Sequence, residues 1–277
     1  MKPAPFAYHA AETVEEAVAA LAQLGDDARV LAGGQSLVPM LNLRLARPSA
    51  LVDVGRIAAL SGIDANGALR LGATTRQADA LRSRTVAERA PLLAEALRHI
   101  GHPATRSHGT VGGSIAHADP AAELPAVLLV LAGEATVVSA GGERTIPAAT
   151  LFLGPFTTAL AEGELLTALR FPDQPAGARH GFAEIARRRG DFALAGAAVL
   201  VAPGYARVSL FAVAPAAFRA LEAEKALVEG AGAEEAAELA AAAAQPFGDP
   251  HATASYRRHA ARVATLRALL AAGVARG

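Results

Sequence analysis

Two short segments combine residue types that could hold a ligand. Ala32-Gly33-Gly34-Gln35-Ser36 interrupts an apolar run that begins at Arg29, and Leu37 restarts it. Thr110-Val111-Gly112-Gly113-Ser114 repeats the pattern nearly eighty residues later. Each segment sets two glycines beside small hydroxyl or amide side chains. A residue without Cβ can take positive φ and lets the backbone approach a ligand closely. Successive N–H groups in such a turn form a concave anion site, and a helix that follows would add its own free N–H groups. The hydroxyls of Ser36, Thr110 and Ser114 can donate further bonds. Together the two segments could hold a diphosphate with no lysine; Lys2 and Lys225 are the only lysines in the chain.

His117, Asp119 and Glu123 follow the second segment within seven positions. They could bind sugar hydroxyls or a metal. Asp119-Pro120 also suits a helix start and Glu123 its first turn, a structural role that accounts for Asp119, partly for Glu123 and not for His117. Other nucleotide signatures are missing. No Gly-x-Gly-x-x-Gly follows a strand, the nearest candidate at Glu229 lacks the third glycine, and there is no Walker A pattern. Neither Ser36 nor Ser114 sits in Gly-x-Ser-x-Gly, which argues against a serine hydrolase.

The elements that must position these residues are legible in outline. Thr13 and Glu16 form a capping box ahead of a helix whose apolar residues fall at Val14, Ala17, Val18, Leu21 and Leu24 and which stops at Gly25. Strands are expected at 28–34, 50–55, 67–75 and 163–172, a short helix over 37–45, and helices over 85–101 and 121–133. The alternation around Gly141-Gly142 predicts a hairpin. Pro172 to Gly181 is the best candidate linker. Beyond it, strands at 181–187, 193–202 and 206–213 suggest a small antiparallel sheet, followed by helices at 217–229, 233–243 and 255–272. This order gives an α+β class, without the alternation of a doubly wound sheet.

At 277 residues, 52% apolar and 19% charged, the chain has ample material for a packed core. Its net charge of zero offers no broad electrostatic case for nucleic acid or an anionic membrane. The longest charge-free apolar run spans about 12 residues, short of a transmembrane segment, and the N-terminal residues lack a signal-peptide core. A cytoplasmic, soluble protein is the expectation. The absence of cysteine excludes disulfides and cysteine-ligated iron–sulfur clusters on this chain.

Three stretches taken together, "AGGQSLVPMLNLRLARP", "GTVGGSIAHADPAAELPA" and "ARRRGDFALAGAA", resemble the medium, FAD-binding subunit of molybdenum hydroxylases, the family of the carbon monoxide dehydrogenase medium subunit and the xanthine dehydrogenase flavin domain. The resemblance covers nearly the whole chain. It implies a vanillyl-alcohol-oxidase-type FAD-binding domain over 1–173, in two parts at about 1–56 and 57–173, and a C-terminal domain over 178–277 with a three-stranded antiparallel sheet. It places Ala32, Gly33, Gly34, Gln35 and Ser36 on one side of the FAD diphosphate and Thr110, Gly112, Gly113 and Ser114 on the other. Glu123 would bind a ribose hydroxyl, His117 and Asp119 would line the same cavity, and Leu37 and Leu124 would be apolar neighbours of the cofactor. No catalytic residue is implied.

The resemblance further implies a large molybdopterin-binding subunit and a small [2Fe–2S] subunit as partners, in a dimer of heterotrimers, with electrons passing through the clusters to FAD and on to an external acceptor. Arg187–Arg189 with Gly190-Asp191 reads as a turn between strands, structural or at a subunit contact, with direct flavin contact as the alternative. "RSHGT" and "LFAVAPAAFRA" depart from the family's commoner pattern. A stand-alone flavin oxidase is the competing expectation; it would draw its acid or base from His180, Tyr205, His251, Tyr256 or His259. A non-enzymatic nucleotide-binding module is a third.

Overall fold

The computed structural model describes residues 2–277. Its first sheet is parallel: Ala50–Asp53 lies between Ala7–Ala10 and Ala28–Leu31. The helix Val14–Leu24 connects the outer strands and buries Ala17, Val18 and Leu21. Thr13 Oγ1 accepts from the Glu16 amide at 3.1 Å, as the capping pattern requires, and Glu16 Oε2 accepts from the Glu12 amide at 2.8 Å, one residue before the cap. The edge strand Ala7–Ala10 is exposed at every residue, so it has no alternation to betray it in the sequence.

The second sheet has five antiparallel strands in the order Ile63–Asp64, Leu69–Gly72, Leu165–Phe171, Glu134–Ser139, Gly142–Pro147. The last two form the expected hairpin. Short helices pack beside this sheet in one continuous apolar core. The helix expected over 85–101 is two helices, Arg84–Arg89 and Pro91–Leu97. Pro91 has no N–H to continue the first and starts the second. Likewise the segment after Ser36 is helical only over Leu37–Asn42.

The third sheet runs Arg179–Ala186, Ala193–Ala202, Tyr205–Phe211, Phe218–Arg219. It therefore has four strands where three were expected. Phe218–Arg219 lies inside the stretch assigned to a helix from 217, and the helix begins only at Leu221. Ala193–Ala202 is buried on both faces. Ala193, Ala198 and Leu200 join the core of the preceding helices; Ala195, Ala197, Val199 and Val201 join an alanine-rich core under Leu221–Val228, Ala233–Ala243 and Ala254–Ala271. Its Gly196 makes room for Phe211, whose Cε2 would lie 2.6 Å from a Cβ there.

Candidate functional site

The two glycine segments meet. A Cβ at Gly33 would collide with the carbonyl oxygen of His108 and stand 2.9 Å from Gly109 Cα. A Cβ at Gly113 would lie 4.0 Å from that of Ala32. Bare backbone on both sides is what allows this approach. Beside the junction opens a cavity of about 550 Å³. Ala32 to Leu37 line it from one segment, Thr110 and Gly112 to Ser114 from the other, and His117, Asp119 and Glu123 line it as well. Leu124 does not: it is 2% exposed and points into the core, because it is one residue past Glu123 on a helix and so faces elsewhere.

The segments differ in what they offer. In the first, Gly34 takes φ 71°, and the amides of Gly33, Gly34, Gln35, Ser36 and Leu37 donate to no protein acceptor among the described residues. Ser36 is exposed and its hydroxyl caps nothing. The second segment is not a bend. It is the first turn of the helix Val111–His117, with neither glycine at positive φ. Its amides are already bonded: Val111 to Thr75 O (3.0 Å), Gly112 to Ala73 O (2.9 Å), Gly113 to Thr110 Oγ1 (3.0 Å) and Ser114 to Thr110 O (3.2 Å).

Thr110 thus spends its hydroxyl as the N-cap. Gly112 is required by packing, since a Cβ there would lie 2.6 Å from that of Ala73. What this segment presents to the cavity is a surface without side chains, plus the Ser114 hydroxyl, which has no protein partner among the described residues. The expected symmetrical pair of amide cradles is therefore one cradle facing a smooth wall.

Asp119 closes a turn, its Oδ1 accepting from the Ala121 amide at 2.8 Å. The helix itself starts later, at Glu123. His117 leans on Phe156, ring centroids 5.1 Å apart; burial pushes its pKa down, opposed by the charge of Asp119. Among the described residues no three His, Cys, Asp or Glu side chains converge as a metal set. Glu123 is 8% exposed, and burial pushes its carboxyl up to about 8, with the charges of Glu184 and Asp119 adding to the rise.

This has a thermodynamic consequence. Between pH 4.5 and about 8 the unfolded chain releases the Glu123 proton while the folded protein keeps it, so stability falls as pH rises through that window and levels off above it. Glu123→Gln should flatten this part of the stability curve, raising the stability of the cofactor-free protein at pH 8 by on the order of a few kcal/mol relative to wild type. Urea titrations at pH 5 and pH 8 measure it; parallel shifts in both proteins would disprove the buried neutral carboxyl.

Several lining residues carried no signal in the sequence. Leu165 and Leu166 lie on a strand that reads as ordinary core, and Thr74, Gln77, Ile100, Gly101 and Thr105 belong to loops and short helices. Glu164 also lines the cavity, and Arg144 holds its carboxyl below the usual range through bonds of 2.6 and 2.8 Å. Gly190, Asp191 and Phe192 reach the wall from the third sheet. By contrast His180, Tyr205, His251, Tyr256 and His259 all lie off it. His180 faces Glu95 at 3.5 Å and His251 faces Arg187 at 3.1 Å. The acid or base that a stand-alone oxidase would take from this set is not at the cavity.

Among the described residues no helix is long and apolar enough to cross a membrane. Residues 4–174 match the family model of the FAD binding domain in molybdopterin dehydrogenase, and residues 180–272 that of the CO dehydrogenase flavoprotein C-terminal domain. The chain is 41% identical to the 6-hydroxypseudooxynicotine dehydrogenase complex subunit alpha of Paenarthrobacter nicotinovorans, covering 97% of this chain and 95% of that one. It is 39% identical to the carbon monoxide dehydrogenase medium chain of Hydrogenophaga pseudoflava, covering 98% of each. Its fold superposes on a crystallised chain of carbon monoxide dehydrogenase from Hydrogenophaga pseudoflava with a TM-score of 0.95 over 99% of both. The chain belongs to the FAD-binding medium-subunit family of the molybdenum hydroxylases, and is a flavoprotein subunit of an oxidoreductase.

Proposed function

We propose that this chain is the electron-transfer subunit of a molybdenum hydroxylase, accepting electrons from [2Fe–2S] clusters on a small partner subunit and passing them to an external acceptor. A large molybdopterin-binding subunit would carry out substrate hydroxylation, in a dimer of heterotrimers. The chain has no cysteine to ligate a cluster, so the clusters belong on another polypeptide. The residues fit FAD. Five unclaimed amides belong to residues, Gly33 to Leu37, that line a cavity whose facing wall has no side chains at Gly112 and Gly113, which suits the linked phosphates of a dinucleotide. That one-sided cradle is the observation that carries the reading.

In this reading the amides of Gly33 to Leu37 bind the diphosphate, with Ser36 and Ser114 as hydroxyl donors. Thr110 acts by holding the helix turn rather than by touching the ligand. Glu123, neutral below about pH 8, can donate as well as accept a bond with a sugar hydroxyl. His117 and Asp119 shape the same wall. Bound FAD supplies the redox chemistry; this chain's residues bind it, orient it and exclude water around it. Residues 1–173 would act as the cofactor-binding unit, divided near 56, and 178–277 as the unit that bears the turn at Gly190.

Substitution at Gly113 is a poor test, because a Cβ there would lie 2.6 Å from Thr110 Oγ1 and disturb the cap. Ser114 is better. It is half-buried, helical, and makes no side-chain bond to the protein among the described residues. Ser114→Leu should fold normally and fill the cavity, with FAD retention falling at least about tenfold, or ~1.4 kcal/mol. Flavin absorbance per chain after gel filtration reads the effect; full retention would show that the cofactor does not lie against this helix.

A further inference from the structure

The turn Arg187–Phe192 has no part in the cradle, yet it is fixed at the cavity's edge. Arg187, Arg188 and Arg189 are all exposed. Arg187 is engaged with His251 at 3.1 Å, whereas Arg188 and Arg189 have neither an acidic partner nor a side-chain hydrogen bond among the described residues. The turn is seated firmly. Gly190 takes φ 88°, and a Cβ there would lie 2.5 Å from His102 Cε1. The last three residues of the turn, Gly190, Asp191 and Phe192, line the cavity, with Phe192 69% exposed, and the arginines precede them directly.

The geometry points to Arg188 and Arg189 as an electrostatic rim that brings a small anionic electron acceptor to the mouth of the cofactor cavity. The inference rests on the FAD reading above. Arg187, Arg188 and Arg189 outweigh the one acidic residue of the turn, Asp191, and the resulting positive charge beside the cavity suits a compact anion. The turn's last three residues open on the cavity itself, which places the charge at a small molecule's route to the cofactor; a protein face is the outcome that co-purification tests. Electron balance is simple: each reduced flavin gives two electrons to the acceptor and two protons to solvent.

The test uses the full chain loaded with FAD and reduced anaerobically with dithionite. Reoxidation is followed by stopped flow with ferricyanide, an anion taking one electron per ion, and with hexaammineruthenium(III), a cation taking one electron. Wild type should favour ferricyanide at low ionic strength and lose that preference as salt rises. R188E/R189E should lower the ferricyanide-to-ruthenium rate ratio at least tenfold with FAD content unchanged, and R188K/R189K should retain most of it.

An unchanged ratio in R188E/R189E overturns the inference while leaving FAD binding standing. So does a variant that keeps the ratio but no longer co-purifies with an iron-containing partner, which would make the turn a subunit contact. A wild-type chain with no flavin absorbance after incubation with FAD removes the cofactor reading, and this one with it.

Discussion

Gly33→Ala is expected to weaken FAD binding at least about 100-fold, or ~2.8 kcal/mol. The added methyl would collide with the His108 carbonyl and crowd Gly109 Cα. Neither contact is the tip of a flexible side chain, so one backbone must move. The loop that carries the free amides would then draw back from the helix that faces them. Gly33 is not at positive φ, so the effect comes from overpacking alone, which costs about 1–3 kcal/mol of stability. Gly204→Ala separates that cost from binding. Gly204 sits at φ 68° with no atom within 4 Å of a built Cβ, so alanine there brings a left-handed strain of about 1–2 kcal/mol and leaves the cavity alone. Fluorescence titration with FAD should show loss for Gly33→Ala and wild-type affinity for Gly204→Ala. Equal affinity in all three would mean that the junction of the two loops is not needed to hold the cofactor.

The sequence marks this junction only in part. Paired glycines beside small polar residues do flag both segments, because few other compositions allow backbone to meet backbone. They do not reveal that the two act differently. Val111-Gly112-Gly113 has poor helix propensity, with two glycines each costing about 1 kcal/mol. The turn is helical because Thr110 caps it and because Ala73 and Thr75 take its first amides, partners nearly forty residues away. No local pattern carries that information. The same holds for Ala7–Ala10, a strand only by pairing with Ala50–Asp53. Where a signal is local, it is read correctly: the Thr13–Glu16 cap, the Gly141-Gly142 hairpin, and the Ala193–Ala202 strand with its unbroken apolar run. Pro91 is a local signal too, and it explains why one apolar period becomes two helices.

Arg257→Ala should be strongly destabilising, and its consequences should reach the cavity rim. Arg257 is 5% exposed on the long C-terminal helix. Its Nη1 donates to the carbonyls of Leu194 at 2.8 Å and Ala212 at 3.1 Å, and its Nη2 to Asp249 Oδ2 at 2.5 Å. The guanidinium also lies 5.4 Å from the centre of the Phe247 ring. Truncation would leave two buried carbonyls without a donor and take the ion-pair partner from Asp249, whose side chain is partly exposed. Leaving a buried acceptor without its donor costs about 1–3 kcal/mol for each carbonyl, and the two together correspond to a fall in Tm of roughly 10 °C for a chain of this size. Arg257→Lys keeps the charge but not the fork that reaches both strands and Asp249, so its loss should be intermediate. Asp249 in turn fixes the next turn, its Oδ1 accepting from the amides of His251 at 2.8 Å and Ala252 at 2.9 Å, and His251 is the residue that meets Arg187. A continuous series of contacts thus runs from the C-terminal helix to the arginine turn. Below its melting point, Arg257→Ala should keep its FAD and yet lose part of the preference for ferricyanide, because the turn then loses the fixed Arg187–His251 contact and keeps only its flanking strands and the Gly190–His102 seat. Calorimetry and the stopped-flow ratio measure the two effects separately; a Tm within 1–2 °C of wild type would refute the structural role, and an unchanged ratio would show that the turn is positioned without the His251 contact.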